Sequence, residues 1–323
     1  MQDAPDVNWG LAVRVGSVGS RDLPDLKRAQ LGQLVADLRV RSRLAGEIAG
    51  DFLGLPGAKG AGEIRVVDWA GWARAASAMV DTSLSEVGLV RRPKGPLTGL
   101  RSTGNALLAG VALRFASRRL LGQYDAYSGK DILYLVAPSI VVHEDRFGFV
   151  PTDFRLWVAL HEQTHALQFR LAPWLRDQIR ASARIVLDGD VSVPKGIAEW
   201  VRDGDLGVLL LGGGAAEELS KLSATMSFLE GHADFVADNA GRDHIGTVAQ
   251  LRRSFSRTET SPLARVLPSF DKTGQYRDGL AFCRRVAAKA GPEALLAAFS
   301  SPGELPSLAE IAAPADWIAR VHG

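Results

Sequence analysis

The sequence contains little cysteine: Cys283 is the only one among its 323 residues. One cysteine cannot form a disulfide within the chain, so a small fold stabilised by internal disulfides is excluded. The first residues, MQDAPDVNWG, also lack the basic stretch followed by an apolar stretch that a secretory signal needs. Both absences favour a reducing compartment, and we expect a cytoplasmic protein.

The sequence also lacks a large excess of one charge and a long hydrophobic run. Its 38 basic and 36 acidic residues give a net charge of +2, which offers no electrostatic attraction for a nucleic acid or a membrane surface. The longest apolar stretch, LGVLLLGGGAA at 206–216, is too short to span a bilayer. We therefore expect neither nucleic acid nor a membrane as a partner.

The periodicity of the apolar residues is mostly helical. It predicts helices over 25–53, 69–84 and 102–122, and a mainly helical chain from residue 153 onward. Asp68 is predicted to be the N-cap of the second of these helices. Strands are predicted only at 64–68 and at 131–142, where Pro138 interrupts the pattern. The predicted fold class is mainly α with a small β-sheet (α+β), arranged as one compact domain over 1–323 in which 1–100 could form a helical subregion.

The stretch DILYLVAP, 131–138, is the strongest strand signal and allows two interpretations. As the edge strand of the small sheet it would offer unpaired backbone groups to an extended peptide. As an ordinary core strand it would have no such role. The following segment HEDRFGFVPTDF, 143–154, is predicted to be a connection into the next helix.

That next helix carries the sequence LWVALHEQTHALQF, which contains two of the six histidines. We expect Thr152 or Asp153 to cap its start and Pro173 to follow its end. Residues four apart lie on one face of a helix, so His161 and His165 can direct their imidazole nitrogens to one point. Glu162 lies about 100° around the helix from His161, within reach of a water bound there.

The HExxH spacing has the chemistry of a zinc site. Neutral imidazoles are good Zn²⁺ ligands, and a catalytic site combines three protein ligands with a position for water. Zinc lowers the pKa of that water, and a nearby carboxylate takes its proton as general base. We predict that His161 and His165 are ligands and that Glu162 is the base. The alternative is a helix with two structural histidines in its core.

A third ligand is predicted in the helical segment 219–240. Glu230 and Asp234 lie four apart on one face, among apolar neighbours. Glu230 would bind the metal, and Asp234 would accept a hydrogen bond from the distal nitrogen of a ligand histidine and so orient its ring. His232 is the competing third ligand. It lies about 200° around the helix from Glu230, so both cannot face one metal.

Transition-state charge in such a site also needs a hydrogen-bond donor besides the metal. Tyr276, in the sequence DKTGQYRDG, is the first candidate for this donor. Tyr124, Tyr127 and His244 are the other candidates. For any single one of the tyrosines, the description favoured over a donor is that of a buried structural residue.

The sequences HEQTH and LEGHAD together resemble the zincin-like metallopeptidase family, which includes actinobacterial hydrolases and proteins associated with deazaflavin-coenzyme biosynthesis. The sequences VNWGLAVRV, LLGQYDAY, DFRLWVALHEQTHALQF and SPGELPSLAEIAAPADWIARV extend this resemblance over nearly the whole chain. The resemblance implies a zincin fold with a glutamate as third ligand. It assigns His161, His165 and Glu230 as ligands and Glu162 as base, and it implies no substrate.

These observations predict a zinc-dependent hydrolase, with a peptide as the first expected substrate and a small amide as the second. The alternatives are a metal-binding protein without turnover and a hydrolase of non-peptide amides. Glu162 favours an enzyme because a purely structural zinc site needs no base, whereas a closed site with four protein ligands would favour the protein without turnover. A long open groove would favour a peptidase, and a closed pocket would favour a small amide.

Overall fold

The computed structural model describes residues 3–4, 7–19, 26–86, 90–91, 98–126, 128–188, 215–258 and 275–323. Helices predominate and the larger sheet has three strands, which confirms the predicted mainly α class with a small sheet. The strands are β1 Asp3–Ala4, β2 Glu63–Val67, β3 Val90–Arg91, β4 Gly122–Tyr124 and β5 Ile132–Val136. The helices are α1 Trp9–Gly16, α2 Arg28–Phe52, α3 Trp69–Glu86, α4 Thr98–Ser117, α5 Ala137–Phe147, α6 Pro151–Leu171, α7 Leu175–Asp188, α8 Ala215–Ala240, α9 Val248–Thr258, α10 Gln275–Ala290, α11 Leu308–Ala312 and α12 Pro314–His322.

The three-stranded sheet has the order β2–β5–β4. β2 pairs in parallel with β5, and β4 pairs with β5 in the antiparallel direction, with Gly122 opposite Leu135. β5 is therefore the middle strand, so its interpretation as an edge strand is wrong and the core-strand interpretation is confirmed. Its continuous apolar sequence ILYLV is buried on both faces, as expected for a strand with neighbours on both sides.

The strand predicted over 131–142 is shorter than expected. It ends at Val136, and Ala137–Phe147 forms helix α5 with Pro138 in its first turn. Proline is well suited to that position because the first amides of a helix have no intrahelical partner. Most of the connection predicted over 143–154 is therefore helical, and only 148–150 link α5 to α6, with Gly148 in the left-handed conformation.

Helix capping follows the prediction at one site and departs from it at another. Asp68 precedes α3 and accepts a hydrogen bond from the Gly71 amide (2.6 Å), which confirms it as an N-cap. At α6 the N-cap is Val150, which makes no side-chain bond, and Pro151 starts the helix. Asp153 lies inside the first turn and accepts bonds from the amide and hydroxyl of Thr247, so the predicted cap at 152 or 153 is wrong.

The sheet separates two groups of helices. Leu133 and Leu135 of β5 belong to a core that includes buried residues of α2 and α6. Ile132 and Tyr134 point the other way, into a core with residues of α1, α3 and α4. A third core joins α7, α8, α10 and the C-terminal helices. Helix α6 therefore lies directly on one face of the sheet, beside its edge strand β4.

Helices α8 and α10 touch through their backbones. A Cβ built on Gly231 would overlap the backbone of Gly279, and one built on Gly279 would overlap the Ser227 carbonyl oxygen. Only glycine allows so close an approach of two helices. Gly231 follows Glu230 directly, so this contact holds the segment of α8 that faces α6.

In the described part of the chain, no helix is long and apolar enough to cross a membrane. The stretch 206–216 lies outside the described residues apart from its last two, which begin α8.

Candidate metal centre

Helix α6 presents both histidines of HExxH to α8. The Nε2 atom of His161 lies 3.2 Å from the Nε2 atom of His165. Across the helix pair, Glu230 places Oε2 3.4 Å from Nε2 of His161 and Oε1 3.7 Å from Nε2 of His165. Two segments about 65 residues apart along the chain therefore bring three donor groups to one point.

The separations of these donor atoms suit zinc. In a tetrahedral site with bonds of about 2.0–2.1 Å, the donor atoms lie about 3.3 Å from one another. The measured separations of 3.2, 3.4 and 3.7 Å fall close to that value. Two imidazoles and one carboxylate are also a donor set that zinc accepts, and it leaves the fourth tetrahedral position open.

The charges at the centre favour a bound cation. Burial alone would lower the pKa of the His161 imidazole, but hydrogen bonds to Asp234 and Glu230 outweigh it and raise the pKa well above its usual value. Positive charge is thus stabilised where the carboxylates converge. Burial lowers the pKa of His165, which keeps its imidazole neutral and its Nε2 lone pair available to a metal.

Glu162 lies buried beside the two histidines and against the edge strand β4. Burial raises the pKa of its carboxyl to about 7, although the charge of His161 and a backbone hydrogen bond from Tyr124 oppose that rise. Gly122 makes room for it, because a Cβ at that position would approach Glu162 Cγ to 2.7 Å. The carboxylate therefore has a proton affinity near neutrality, as a general base requires.

Asp234 lies one turn beyond Glu230 and contacts the opposite nitrogen of a ligand candidate. Its Oδ1 is 3.0 Å from Nδ1 of His161, and its Oδ2 accepts a 2.8 Å hydrogen bond from Arg252. Because a carboxylate accepts the Nδ1 proton of His161, the lone pair of that ring lies on Nε2, towards the centre. This is the contact that the sequence predicts for Asp234.

Arg252 itself is held in a dense network. It donates to Asp238 (2.9 Å), which also accepts hydrogen bonds from Arg284 (2.9 Å) and from the indole of Trp157 (3.2 Å). The Arg252 guanidinium lies 5.0 Å from the centroid of the Trp157 ring. These contacts fix the position of Arg252, which in turn fixes Asp234.

Gln168 orients the second histidine. Its Oε1 can only accept, so it takes the Nδ1 proton of His165 (2.9 Å) and leaves the Nε2 lone pair towards the centre. Its amide group donates to the Leu229 carbonyl (2.9 Å) and lies 3.1 Å from Nδ1 of His232. One side chain therefore links α6 to the turn of α8 that carries Glu230.

Comparison with known proteins agrees with this geometry. The family model of zincin-like metallopeptidases matches residues 7–318, almost the whole chain. The chain belongs to the zincin-like metallopeptidase family. That family implies a metal cofactor, typically zinc, and the His161, His165 and Glu230 group fits it by donor type and by separation. No curated protein matches the chain.

A solved structure extends the comparison to the fold. It is described as "Crystal structure of a putative hydrolase with a novel fold from Chloroflexus aurantiacus", and it is 24% identical to the chain. The match covers 97% of this chain and 98% of that one, with a TM-score of 0.70. At this identity the likeness concerns the arrangement of helices and strands and carries no residue roles.

His232, the competing third ligand, lies away from the centre of this zincin-like metallopeptidase. It is buried, its ring packs near Phe228 and Phe299, and its Nδ1 faces Gln168. Burial lowers its pKa to about 3, so the ring is neutral. His232 is thus positioned as a core residue behind the centre.

The candidates for a transition-state donor are only partly described. Tyr276 lies in the first turn of α10 but its side chain is outside the described part of the structure, as is the whole of Tyr127. The Tyr124 hydroxyl donates a hydrogen bond to Asp131 (3.1 Å) in the loop before β5, so it points to that loop. His244 is exposed at the end of the 3-10 turn Gly241–Asp243. The assignment of Tyr276 stays a prediction.

Sequence reasoning missed three residues that shape the centre. Gln168 carries a weak signal, because it lies three residues after His165 on the same helix. Arg252 and Gly122 carry none, since an arginine in an amphipathic helix and a glycine after a helix are common for other reasons. Both come to the centre only through the tertiary structure.

Proposed function

We propose that the chain is a zinc-dependent hydrolase that cleaves amide bonds of peptides, with His161, His165 and Glu230 as metal ligands and Glu162 as general base. The main support for this proposal is that donor atoms of His161, His165 and Glu230 lie 3.2 to 3.7 Å apart, beside the buried carboxylate of Glu162. A purely structural zinc site has four protein ligands and no need of such a base.

The chemistry that zinc supplies in such a site is Lewis acidity, which makes a water molecule more acidic and a carbonyl more electrophilic. Glu162 takes the proton of the attacking water and passes it to the leaving amine. A pKa of about 7 suits both transfers, because the carboxyl can accept and release a proton near neutral pH. Asp234 and Gln168 hold the two imidazoles in the tautomer that directs Nε2 to the metal.

The outer edge of β4, which pairs with no other strand in the described part of the sheet, supports a peptide as the substrate. The Asp125 amide donates to Ile132 and the Val136 amide donates to Leu121, so the odd-numbered residues of this stretch pair with β5. In an antiparallel pair the alternate residues point their backbone groups outward, which places those of Gly122 on the outer edge, next to the Tyr124 amide that bonds to Glu162. An extended peptide added at this edge would lie beside Glu162.

A pair of substitutions tests the ligand and base roles separately. Glu162→Gln should keep about one zinc per chain and lose peptide cleavage, because the amide cannot accept the proton. Glu230→Gln should instead weaken zinc binding, since a neutral amide oxygen is a poorer ligand than a carboxylate. The measurements are zinc content of the folded protein and cleavage of a peptide library followed by mass spectrometry.

The outcomes separate the proposal from its alternatives. Loss of zinc in Glu162→Gln with zinc retained in Glu230→Gln would show that the two roles are reversed. Zinc-loaded wild type that cleaves small amides but no peptide would make the chain an amide hydrolase. Zinc-loaded wild type that cleaves neither would make it a metal-binding protein without turnover.

A further inference from the structure

A cavity lies on the side of α8 that carries Asp238. It has a volume of about 820 Å³ and lies between α8, α9 and α10 and the turn that precedes α9. This volume is in the range of small-molecule sites, which is about 300–1,000 Å³. Part of its lining is apolar, with Phe52, Phe235, Ile245, Ala287 and Pro292.

The charged part of the lining is strongly basic. Its described residues include Arg242, Arg252, Arg253 and Arg284 but only one acidic residue, Asp238. This composition contrasts with another cavity of about 510 Å³, in which Arg39, Arg43 and Lys59 face Glu47 and Glu63.

Two of the four guanidinium groups are already neutralised. Arg252 pairs with Asp234 and Asp238, and Arg284 pairs with Asp238. Within the described ranges, Arg242 contacts only the amide oxygen of Asn239 (3.2 Å), and Arg253 has no acidic partner. As far as the structure describes the lining, two positive charges without an acidic partner thus lie next to an apolar wall.

We propose that this cavity binds an organic phosphate, with the phosphate on Arg242 and Arg253 and an apolar body against the Phe52 and Phe235 side. A phosphate monoester carries a charge of about −1.5 to −2 at pH 7 and has three acceptor oxygens, which matches two guanidinium groups that have no acidic partner among the described residues. Guanidinium groups bind phosphate through paired hydrogen bonds, which makes arginine the preferred residue for such sites. The cavity contains none of the candidate metal ligands and the proposal does not depend on the proposed hydrolysis, although Arg252 in the cavity wall also pairs with Asp234.

Calorimetric titration of the zinc-loaded protein with phenyl phosphate tests the proposal. Wild type should bind one equivalent, and phenyl phosphate should bind about tenfold tighter than inorganic phosphate because the ring buries apolar surface. Arg242→Gln combined with Arg253→Gln should weaken binding about tenfold or more, because charged hydrogen bonds are lost. Both side chains are exposed and neither makes an ion pair with a described residue, so the thermal unfolding midpoint should stay at the wild-type value.

Arg39→Gln combined with Arg43→Gln is the matched control, because it removes the same charge from exposed residues of the other cavity. It should bind phenyl phosphate as wild type does. Unchanged binding in the Arg242 and Arg253 variant, or equal weakening in the control, would overturn the proposal. If the double variant fails to fold, Arg253→Glu alone replaces it and should abolish binding.

Two further titrations identify the site at which phenyl phosphate binds and the chemical group that is recognised. His165→Ala, and wild type stripped of zinc by a chelator, should retain binding, because the cavity contains no metal ligand. Loss of binding in both would place the phosphate on the metal and overturn the proposal. Benzoate should bind at least tenfold more weakly than phenyl phosphate, and equal affinity would overturn the assignment of a phosphate.

Discussion

At the residue scale, the centre depends on pairs of polar groups that set each other's protonation. Burial alone would raise the pKa of Asp234, but Arg252 and His161 lower it well below its usual range, so the carboxylate is charged. A charged Asp234 accepts the Nδ1 proton of His161. Asp234 thus leaves the lone pair of His161 on Nε2, the nitrogen that would bind the metal, although Asp234 itself does not reach the metal position.

Replacing Asp234 by alanine should loosen a ligand without removing one. Loss of such a partner costs about 10- to 100-fold in metal affinity or activity. Asp234→Ala should therefore fall between wild type and Glu230→Ala when zinc is removed by a competing chelator. Zinc affinity equal to that of wild type would mean that Asp234 has no part in orienting His161.

Replacing His232 by alanine tests the identity of the third ligand. The variant should keep about one zinc per chain, because the ring faces Gln168 and two phenylalanines. Its thermal unfolding midpoint should fall, since the deletion leaves a cavity in a packed core. If His232→Ala loses zinc as completely as His161→Ala, the third ligand is His232, and α8 faces α6 with its other side.

At the element scale, the crossing of α8 and α10 decides where Glu230 lies. The two helices meet at Gly231 and Gly279, where any larger residue would separate the backbones. Because Glu230 precedes Gly231, a shift of α8 at this crossing would move a ligand candidate. Neither glycine is suited to a helix by propensity, so their value lies in the contact between the helices.

Gly279→Ala should lower stability and zinc affinity together. Overpacking of this kind costs about 1–3 kcal/mol, because the overlapped Ser227 carbonyl is backbone and cannot turn away. The matched control is Gly104→Ala in α4, where nothing lies within 4 Å of the new methyl group. That control should be neutral or more stable by up to about 1 kcal/mol. Urea unfolding and zinc titration of both variants measure these effects, and equal behaviour would contradict the proposed close crossing.

At the scale of the whole molecule, the centre joins elements that belong to different cores. Helix α6 contributes mainly to the core under the sheet, and α8 supplies residues to that core and to the one around α10. A metal held by both helices would therefore stabilise the folded arrangement of the two cores. The division of the chain into domains stays a prediction.

Removal of zinc should lower the thermal unfolding midpoint of wild type. A ligand at 100 times its Kd stabilises the folded state by about 2.7 kcal/mol, which corresponds to several degrees in a chain of this size. Differential scanning calorimetry with and without a chelator measures the shift. His165→Ala should be insensitive to the chelator, and an equal shift in that variant would mean that the metal binds elsewhere.

The sequence by itself determined the features that follow from helix geometry. The i, i+4 spacing of His161 and His165, and that of Glu230 and Asp234, places each pair on one face whatever surrounds the helix. The mainly helical class and the existence of a strand at ILYLV follow in the same way from local patterns, although its edge or core position stayed open. The family resemblance, carried by the same segments, is confirmed over residues 7–318.

Only the tertiary structure decided which other residues contact the side chains of these helical segments. The middle position of β5 and the contact of Gly122 with Glu162 depend on segments that are distant along the chain. The contact of Arg252 with Asp234 depends on how α9 packs against α8. Such contacts leave no periodic trace in the sequence, because one residue on each side is enough to make them. Local spacing therefore predicts the groups that could bind a metal, and only packing determines how their rings and carboxylates are aimed.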